Sequence, residues 1–157
     1  MGFDEKCLAS LFIPNTYELY WNIEAEEFVK KMIDEYDRFW NDNRVKKADA
    51  LKMTPIEISV LASIVDKETT KVSEMSRIAG VYINRLKKKW LLQADPTLVF
   101  ALGDFEIKRV LDVHKEIESP YNTYKYVGLP PGPICIPSIA AIDAVLNAEQ
   151  HKYFYFC

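Results

Sequence analysis

Cysteine and histidine are scarce in this 157-residue chain, with three of the first and two of the second. Cys7, Cys135 and Cys157 are far apart and form no C-x-x-C pair, which argues against both a disulfide framework and a zinc site. His114 and His151 have no second histidine or cysteine at metal-ligand spacing, so the expected chemistry needs no metal and no cofactor. An excess of positive charge is also missing. The 20 Lys and Arg residues face 23 Asp and Glu, a net charge of −3, so no overall field would hold the chain on a polyanion and no nucleic-acid partner is expected. Long apolar runs are lacking too: Leu8 to Pro14 is broken by Ser10 and falls far short of the roughly 20 helical residues that span a bilayer. As given, the chain reads as soluble.

What is present suits one ordinary core: 49% of the residues are apolar, and residues 1–157 read as a single domain. Residues 11–23 are aromatic-rich and broken by Pro14-Asn15, which predicts a short strand or two. Phe28, Met32, Ile33, Tyr36, Phe39 and Trp40 recur at steps of three and four, predicting one long amphipathic helix from Ala25 to about Lys47. Thr54-Pro55-Ile56-Glu57 opens the next helix as a capping box. A third follows from about Ser73, with Met75, Ile78, Ala79, Tyr82, Ile83 and Leu86 on one face. Asn84-Arg85 and Lys87-Lys88-Lys89 then read as its solvated end, favoured by the helix dipole.

Asp95-Pro96 predicts a brief helix capped by Asp95 and stopped by Gly103, and Phe105 to Val113 has room for a strand. Residues 119–137 hold five of the eight prolines and two of the five glycines, so they form a long shaped loop, either a cleft wall or a packed connection. Ser138 caps a last helix, and Tyr153-Phe154-Tyr155-Phe156-Cys157 reads as a strand with no polar tail after it. The sequence thus reads as a piece of a longer protein; if it was cut from one on purpose, Met1-Gly2 would be an added start. The expected class is α+β: mainly helical, with a few short strands and the Pro/Gly-rich loop.

Helix geometry singles out one acid. Leu61, Ile64 and Val65 form the inward stripe of the capped helix, and Glu68, at seven, four and three residues beyond them, falls on that same face. Asp66 lies about 200° around the axis from there and is expected to face solvent. A carboxyl group short of water keeps its proton to higher pH, which suits a general acid. The alternative is that Glu68 swings outward to pair with Lys67 or Lys71. Most glycoside hydrolases need two carboxylates around the bond. Glu57 is roughly 16 Å away along the helix, and Asp95 is explained as well by capping. Tyr121, Asn122, Thr123 and Tyr124 combine aromatic faces with amide and hydroxyl groups, a chemistry suited to neutral, hydroxyl-rich ligands.

Five segments in one order carry a resemblance: Leu61-Ala62-Ser63-Ile64-Val65-Asp66-Lys67-Glu68-Thr69, Tyr82-Ile83-Asn84-Arg85-Leu86, Leu92-Gln93-Ala94-Asp95-Pro96-Thr97, Ser119-Pro120-Tyr121-Asn122-Thr123-Tyr124, and Gly128-Leu129-Pro130-Pro131-Gly132-Pro133-Ile134. They resemble the endolytic murein transglycosylases of the YceG-like family. Ile13-Pro14-Asn15-Thr16-Tyr17 is similar to a sixth family segment that usually begins Phe-Pro-Asp. The resemblance implies non-hydrolytic cleavage of the β-1,4 bond between N-acetylmuramic acid and N-acetylglucosamine in peptidoglycan strands, leaving 1,6-anhydro ends. It places the catalytic glutamate at Glu68 and carries over Asn84, Gln93, Asp95, Thr97, Tyr121, Asn122 and Tyr124 as cleft residues. It further implies a full-length protein anchored in the cytoplasmic membrane, with a further N-terminal module and a His- and Asn-containing C-terminal segment, acting in the cell envelope. Partners in the cell-wall synthesis machinery are left open.

Overall fold

The chain's helix signals translate into six α-helices among residues 3–156, which the computed structural model describes: α1 (Ala25–Phe39), α2 (Asp42–Leu51), α3 (Pro55–Glu68), α4 (Val72–Lys87), α5 (Asp95–Leu102) and α6 (Ile139–Leu146). Met1-Gly2 and Cys157, with the expectations attached to them, lie outside the described residues.

Helix α3 is the axis of the molecule. The Thr54 hydroxyl accepts the Glu57 N–H at 3.2 Å and the Glu57 carboxylate accepts the Thr54 N–H at 2.7 Å, so two orphan donors of the first turn are satisfied reciprocally. From Ile58 to Val65 every residue is buried. A helix that is apolar all round belongs in the middle of a domain, and α4, α5 and α6 pack around it while α2 touches both α3 and α6. Ile58, Leu61, Ile64 and Val65 meet Met75, Ile78, Ala79 and Tyr82 of α4 and Ile142 and Val145 of α6 in one core. Each fully buried aliphatic side chain there contributes about 1.5–3 kcal/mol of transfer free energy.

The expected α+β class is overturned: the described residues contain helices and 3-10 turns but no strand. The three segments read as strands are irregular for a common reason: a strand's backbone must pair along a ladder. Residues 11–23 bury Leu11 and Ile13 against the helices but leave Tyr20 and Trp21 exposed. Residues 105–113 form loop and the start of a 3-10 turn. In the aromatic run, the carbonyl oxygens of Tyr153 and Phe154 are taken by side chains of α4, Asn84 Nδ2 at 2.9 Å and Arg85 Nε at 2.8 Å.

Four local expectations also change. The helix expected from Ala25 to about Lys47 breaks after Phe39, because the Asn41 side chain accepts the N–H groups of Asn43 at 3.1 Å and Arg44 at 3.2 Å and starts α2 afresh. The stripe of Phe28, Met32, Ile33, Tyr36, Phe39 and Trp40 ends at the break, and Val45, Ala48 and Leu51 of α2 fall on a different phase of the 3.6-residue repeat. Asp95 is the first residue inside α5 rather than its cap. Asp66, expected in solvent, is half-buried and accepts the Ser138 hydroxyl at 2.5 Å, tying α3 to the start of α6. Arg85, expected at a solvated helix end, is only 6% exposed. The capping of α6 by Ser138 and the left-handed stop at Gly103 follow the sequence.

Two irregular segments finish the molecule. In the Pro/Gly loop, the buried Asn122 amide donates to the carbonyls of Lys115 at 2.9 Å and Ile117 at 2.8 Å, while its oxygen accepts the Tyr124 N–H at 3.0 Å. The loop's Gly132 sits so close to Lys6 that an added Cβ would lie 2.0 Å from that residue's carbonyl oxygen. Residues 147–156 run as a strap along α4. The Glu149 N–H donates to the Ser76 carbonyl at 2.9 Å, and the Asn84 amide donates to the His151 carbonyl at 2.9 Å. A Cβ on Gly80 would lie 2.3 Å from the Glu149 carbonyl oxygen, so α4 can carry the strap only where it has no side chain.

Candidate functional site

Glu68 ends α3, and the end of a helix is where a side chain on the core face can reach past the packed stripe. It does not turn outward to a lysine: Lys71 pairs with Glu74 at 3.0 Å. The half-buried Glu68 carboxylate instead accepts the hydroxyl of Tyr82 at 2.6 Å. Tyr82 is 1% exposed, so this hydroxyl is donated from inside the core.

Burial pushes the Glu68 carboxyl above the ordinary glutamate value. The Tyr82 hydrogen bond works against that rise, the nearby Asp95 charge adds to it, and the Arg85 charge opposes it. Tyr82 itself is driven well above a normal phenol by burial and by the Glu68 charge, which keeps it a donor. Asp95 accepts the Tyr124 hydroxyl at 2.5 Å. The Tyr124 phenol is likewise raised, by burial first and by Asp95 next.

Two hollows meet at these acids. One, of about 240 Å³, is lined by Glu68, Tyr82, Arg85, Gln93, Asp95, Tyr124, Tyr155 and Phe156. The other, of about 560 Å³, shares Glu68 and Asp95 and adds the apolar Val99, Phe100, Phe105 and Ile134 beside Lys67, Lys108 and Arg109. A larger hollow of about 800 Å³ lies at the other end of α3. Its acid, Glu57, is committed to the capping box, so its volume comes without a carboxyl group free for chemistry.

Of the eight residues read from the sequence, the structure brings Glu68, Gln93, Asp95 and Tyr124 to the smaller hollow. Gln93 is held there with its backbone in the left-handed region, φ 51°, by its N–H donating to the Thr123 carbonyl at 3.0 Å. The other four lie elsewhere. Asn84 clamps the strap. Thr97 is fully buried, with its hydroxyl 2.9 Å from that of Thr123. Asn122 shapes the Pro/Gly loop from inside, and Tyr121 packs on Phe100 with ring centroids 4.8 Å apart.

Tyr82, Arg85, Tyr155 and Phe156 were not read as site residues. Tyr82 fits the apolar stripe of α4, and only the polar hydroxyl of a tyrosine on a buried face hints that it seeks a partner. Arg85 donates to the carbonyls of Leu92 and Phe154, joining the strap to the chain that leads into α5. Phe156 meets the Tyr82 ring edge-on at 5.7 Å between centroids. The strap thus supplies one wall of the hollow.

Three comparisons place this geometry among known proteins. The chain is 38% identical over 133 residues to a Bacillus subtilis protein named endolytic murein transglycosylase, a match covering 83% of this chain and 36% of the relative. It is 30% identical over 155 residues to a Streptococcus pneumoniae protein of the same name, covering 95% of this chain and 28% of the relative. The chain therefore spans about a third of the length of these curated relatives. A crystal structure of a YceG-like protein from Listeria monocytogenes superposes with a TM-score of 0.82 at 34% identity, over 94% of this chain and 48% of that one. The sequence model of the YceG-like family matches residues 3–157, and the chain belongs to that family.

Proposed function

We propose that this chain is the catalytic part of an endolytic murein transglycosylase, a lyase that cuts the β-1,4 bond between N-acetylmuramic acid and N-acetylglucosamine and uses Glu68 as its one acid and base. The observation that carries this reading is the Glu68 carboxyl at the junction of two hollows, raised above its usual value and held by a buried hydroxyl. The names of the curated relatives supply the substrate.

A protonated Glu68 gives its proton to the glycosidic oxygen as the bond to the muramic C1 breaks. The C6 hydroxyl oxygen of the same sugar closes onto C1, and the Glu68 carboxylate takes that hydroxyl's proton. The products are a 1,6-anhydro muramic end and a free C4 hydroxyl on the departing strand, with no water consumed. The nucleophile belongs to the substrate, and holding it close to C1 replaces a second enzyme carboxylate. Asp95 is suited to an electrostatic part: its charge helps Glu68 keep its proton, while Tyr124 holds it in place.

Gln93, Tyr124 and Tyr155 offer amide, hydroxyl and ring faces to the glycan. Asn84, Thr97 and Asn122 serve as positioning residues, through the strap and the loop they hold, and Tyr121 through Phe100. The full-length protein is proposed to be anchored at the cytoplasmic membrane and to work on strands in the cell envelope beside the synthesis machinery.

Digestion of purified sacculi with the full-length protein, read by mass spectrometry, tests this. Anhydro-muramic ends are expected from the native protein, and Glu68→Gln is expected to lose them. Reducing ends, heavier by one water, would make the enzyme a hydrolase. Binding to sacculi without any cut would make the chain a wall-binding module, and equal yields from Glu68→Gln would remove Glu68 from its role.

A further inference from the structure

The two hollows that share Glu68 and Asp95 differ in chemistry. The smaller is walled by Tyr82, Tyr124, Tyr155 and Phe156 with the Gln93 amide, and the one cation there, Arg85, is spent on backbone carbonyls. The larger has an apolar floor and three cations at its sides, Lys67, Lys108 and Arg109. All three are exposed, and among the described residues none forms an ion pair. Of the acids in the same loop, Asp104 accepts the backbone N–H of Glu106 at 3.1 Å, and neither Asp104 nor Glu106 forms an ion pair with them. Three unpaired cations over an apolar floor suit a ligand that carries carboxylates and short aliphatic groups together. A plain glycan of neutral sugars offers neither.

On the transglycosylase reading, on which this step rests, we infer that the cationic hollow binds the anionic substituent of the muramic sugar, its lactyl-linked peptide. That substituent hangs from C3 of the very sugar whose C1 reacts, and the two hollows share Glu68 and Asp95, so a glycan seated along the Tyr124 and Tyr155 side has the cationic hollow within reach of this substituent. The peptide's small aliphatic side chains lie on Val99, Phe100 and Ile134, and its free carboxylates meet Lys67, Lys108 and Arg109. Lys67 stands one residue from Glu68 on α3, so the same helix end that presents the acid also contributes to this recognition. The hollow makes the enzyme select peptide-bearing strands carrying free carboxylates over strands whose carboxylates are masked or absent.

The test uses full-length protein and uncrosslinked strands in three forms: with free peptide carboxylates, with those carboxylates converted to neutral amides, and with the peptide removed by an amidase, which leaves only the lactyl carboxylate. Exposed ion pairs are each worth a few-fold in binding, so native protein is expected to cleave the free-carboxylate form about tenfold more efficiently than the amide form. The double variant Lys108→Gln/Arg109→Gln is expected to lose most of that preference, cutting the free-carboxylate form little better than the amide form. Raising the salt concentration shrinks the native preference. A stripped strand cut as well as the free-carboxylate form would move recognition to the lactyl group and overturn the peptide assignment. Equal cutting of all three forms by native protein, or a preference unchanged in the double variant, would overturn the inference while leaving the enzyme intact. No cutting of any form by native protein would sink the proposed function itself.

Discussion

The two ends of α3 each carry a glutamate that accepts hydrogen bonds, and they are put to opposite uses. Glu57 takes the N–H of Thr54 and its hydroxyl, at 2.7 and 3.0 Å, three residues away on the surface. Glu68 takes a hydroxyl from Tyr82, fourteen residues away and inside the core. At the first end, chain geometry over a single turn supplies the partner, and the acid is used up in starting the helix. At the second end, α4 supplies the partner, Asp95 supplies a like charge, and burial keeps the carboxyl protonated to higher pH. Residue type and helix membership are the same, so the chemistry follows from what is packed around the side chain.

Substitution of both glutamates gives the widest contrast. Glu68→Gln is expected to lower the rate of anhydro-muramic product formation by a factor of about 10²–10⁴, the usual worth of a positioned acid and base. Glu57→Gln is expected to leave that rate within about twofold and to cost only fractions of the typical capping contribution of about 1 kcal/mol. Comparable losses from the two would mean that the surroundings of these two acids do not set their roles.

Gly80→Ala comes next, because it acts on the wall of the hollow without touching a reacting group. The new Cβ, 2.3 Å from the Glu149 carbonyl oxygen, must push the strap off α4. About 1–3 kcal/mol of destabilisation is expected in thermal unfolding, with a loss of activity smaller than that of Glu68→Gln. An unshifted melting temperature would show that the strap is not held as described.

Tyr82→Phe isolates the tertiary partner. The hydrogen bond it removes is one that lowers the Glu68 carboxyl, so the alkaline limb of the activity profile is expected to move to higher pH, alongside about 1 kcal/mol of lost stability. A variant that only loses amplitude, with its pH profile unmoved, would reduce Tyr82 to a packing residue.

The stability of Glu68→Gln sharpens the same point. A carboxyl whose folded value is raised contributes stability that is present below its unfolded value, near 4.5, and is lost as pH rises through the folded value. The glutamine variant, which cannot ionise, is therefore expected to melt above native protein at pH 7, with the gap closing as pH falls below 4.5. A gap that widened on acidification would contradict the assigned direction. Thr54→Ala has the smallest expected reach, about 1 kcal/mol of stability with activity unchanged.

Much of this was legible in the chain itself where the relevant physics is local. The capping box at Thr54, the inward phase of Glu68 on α3, the left-handed stop at Gly103 and the cap at Ser138 each depend on a few neighbouring residues. The strand assignments were not legible, because aromatic and β-branched runs suit a pleated surface only when a neighbouring strand exists, and here α4 side chains take the backbone oxygens instead. The same limit hid Arg85, whose burial depends on the strap returning to it.

By itself, then, the sequence determined the capped starts of α3 and α6, the stop of α5 at Gly103 and which face of α3 points inward, since those follow from a few neighbouring residues and the 3.6-residue repeat. Only the tertiary structure decided what surrounds each of the two glutamates of α3. The Tyr82 hydroxyl, the Asp95 charge and the strap reach Glu68 from parts of the chain far away in sequence, and the electrostatics of a carboxyl group depend on what surrounds it in space.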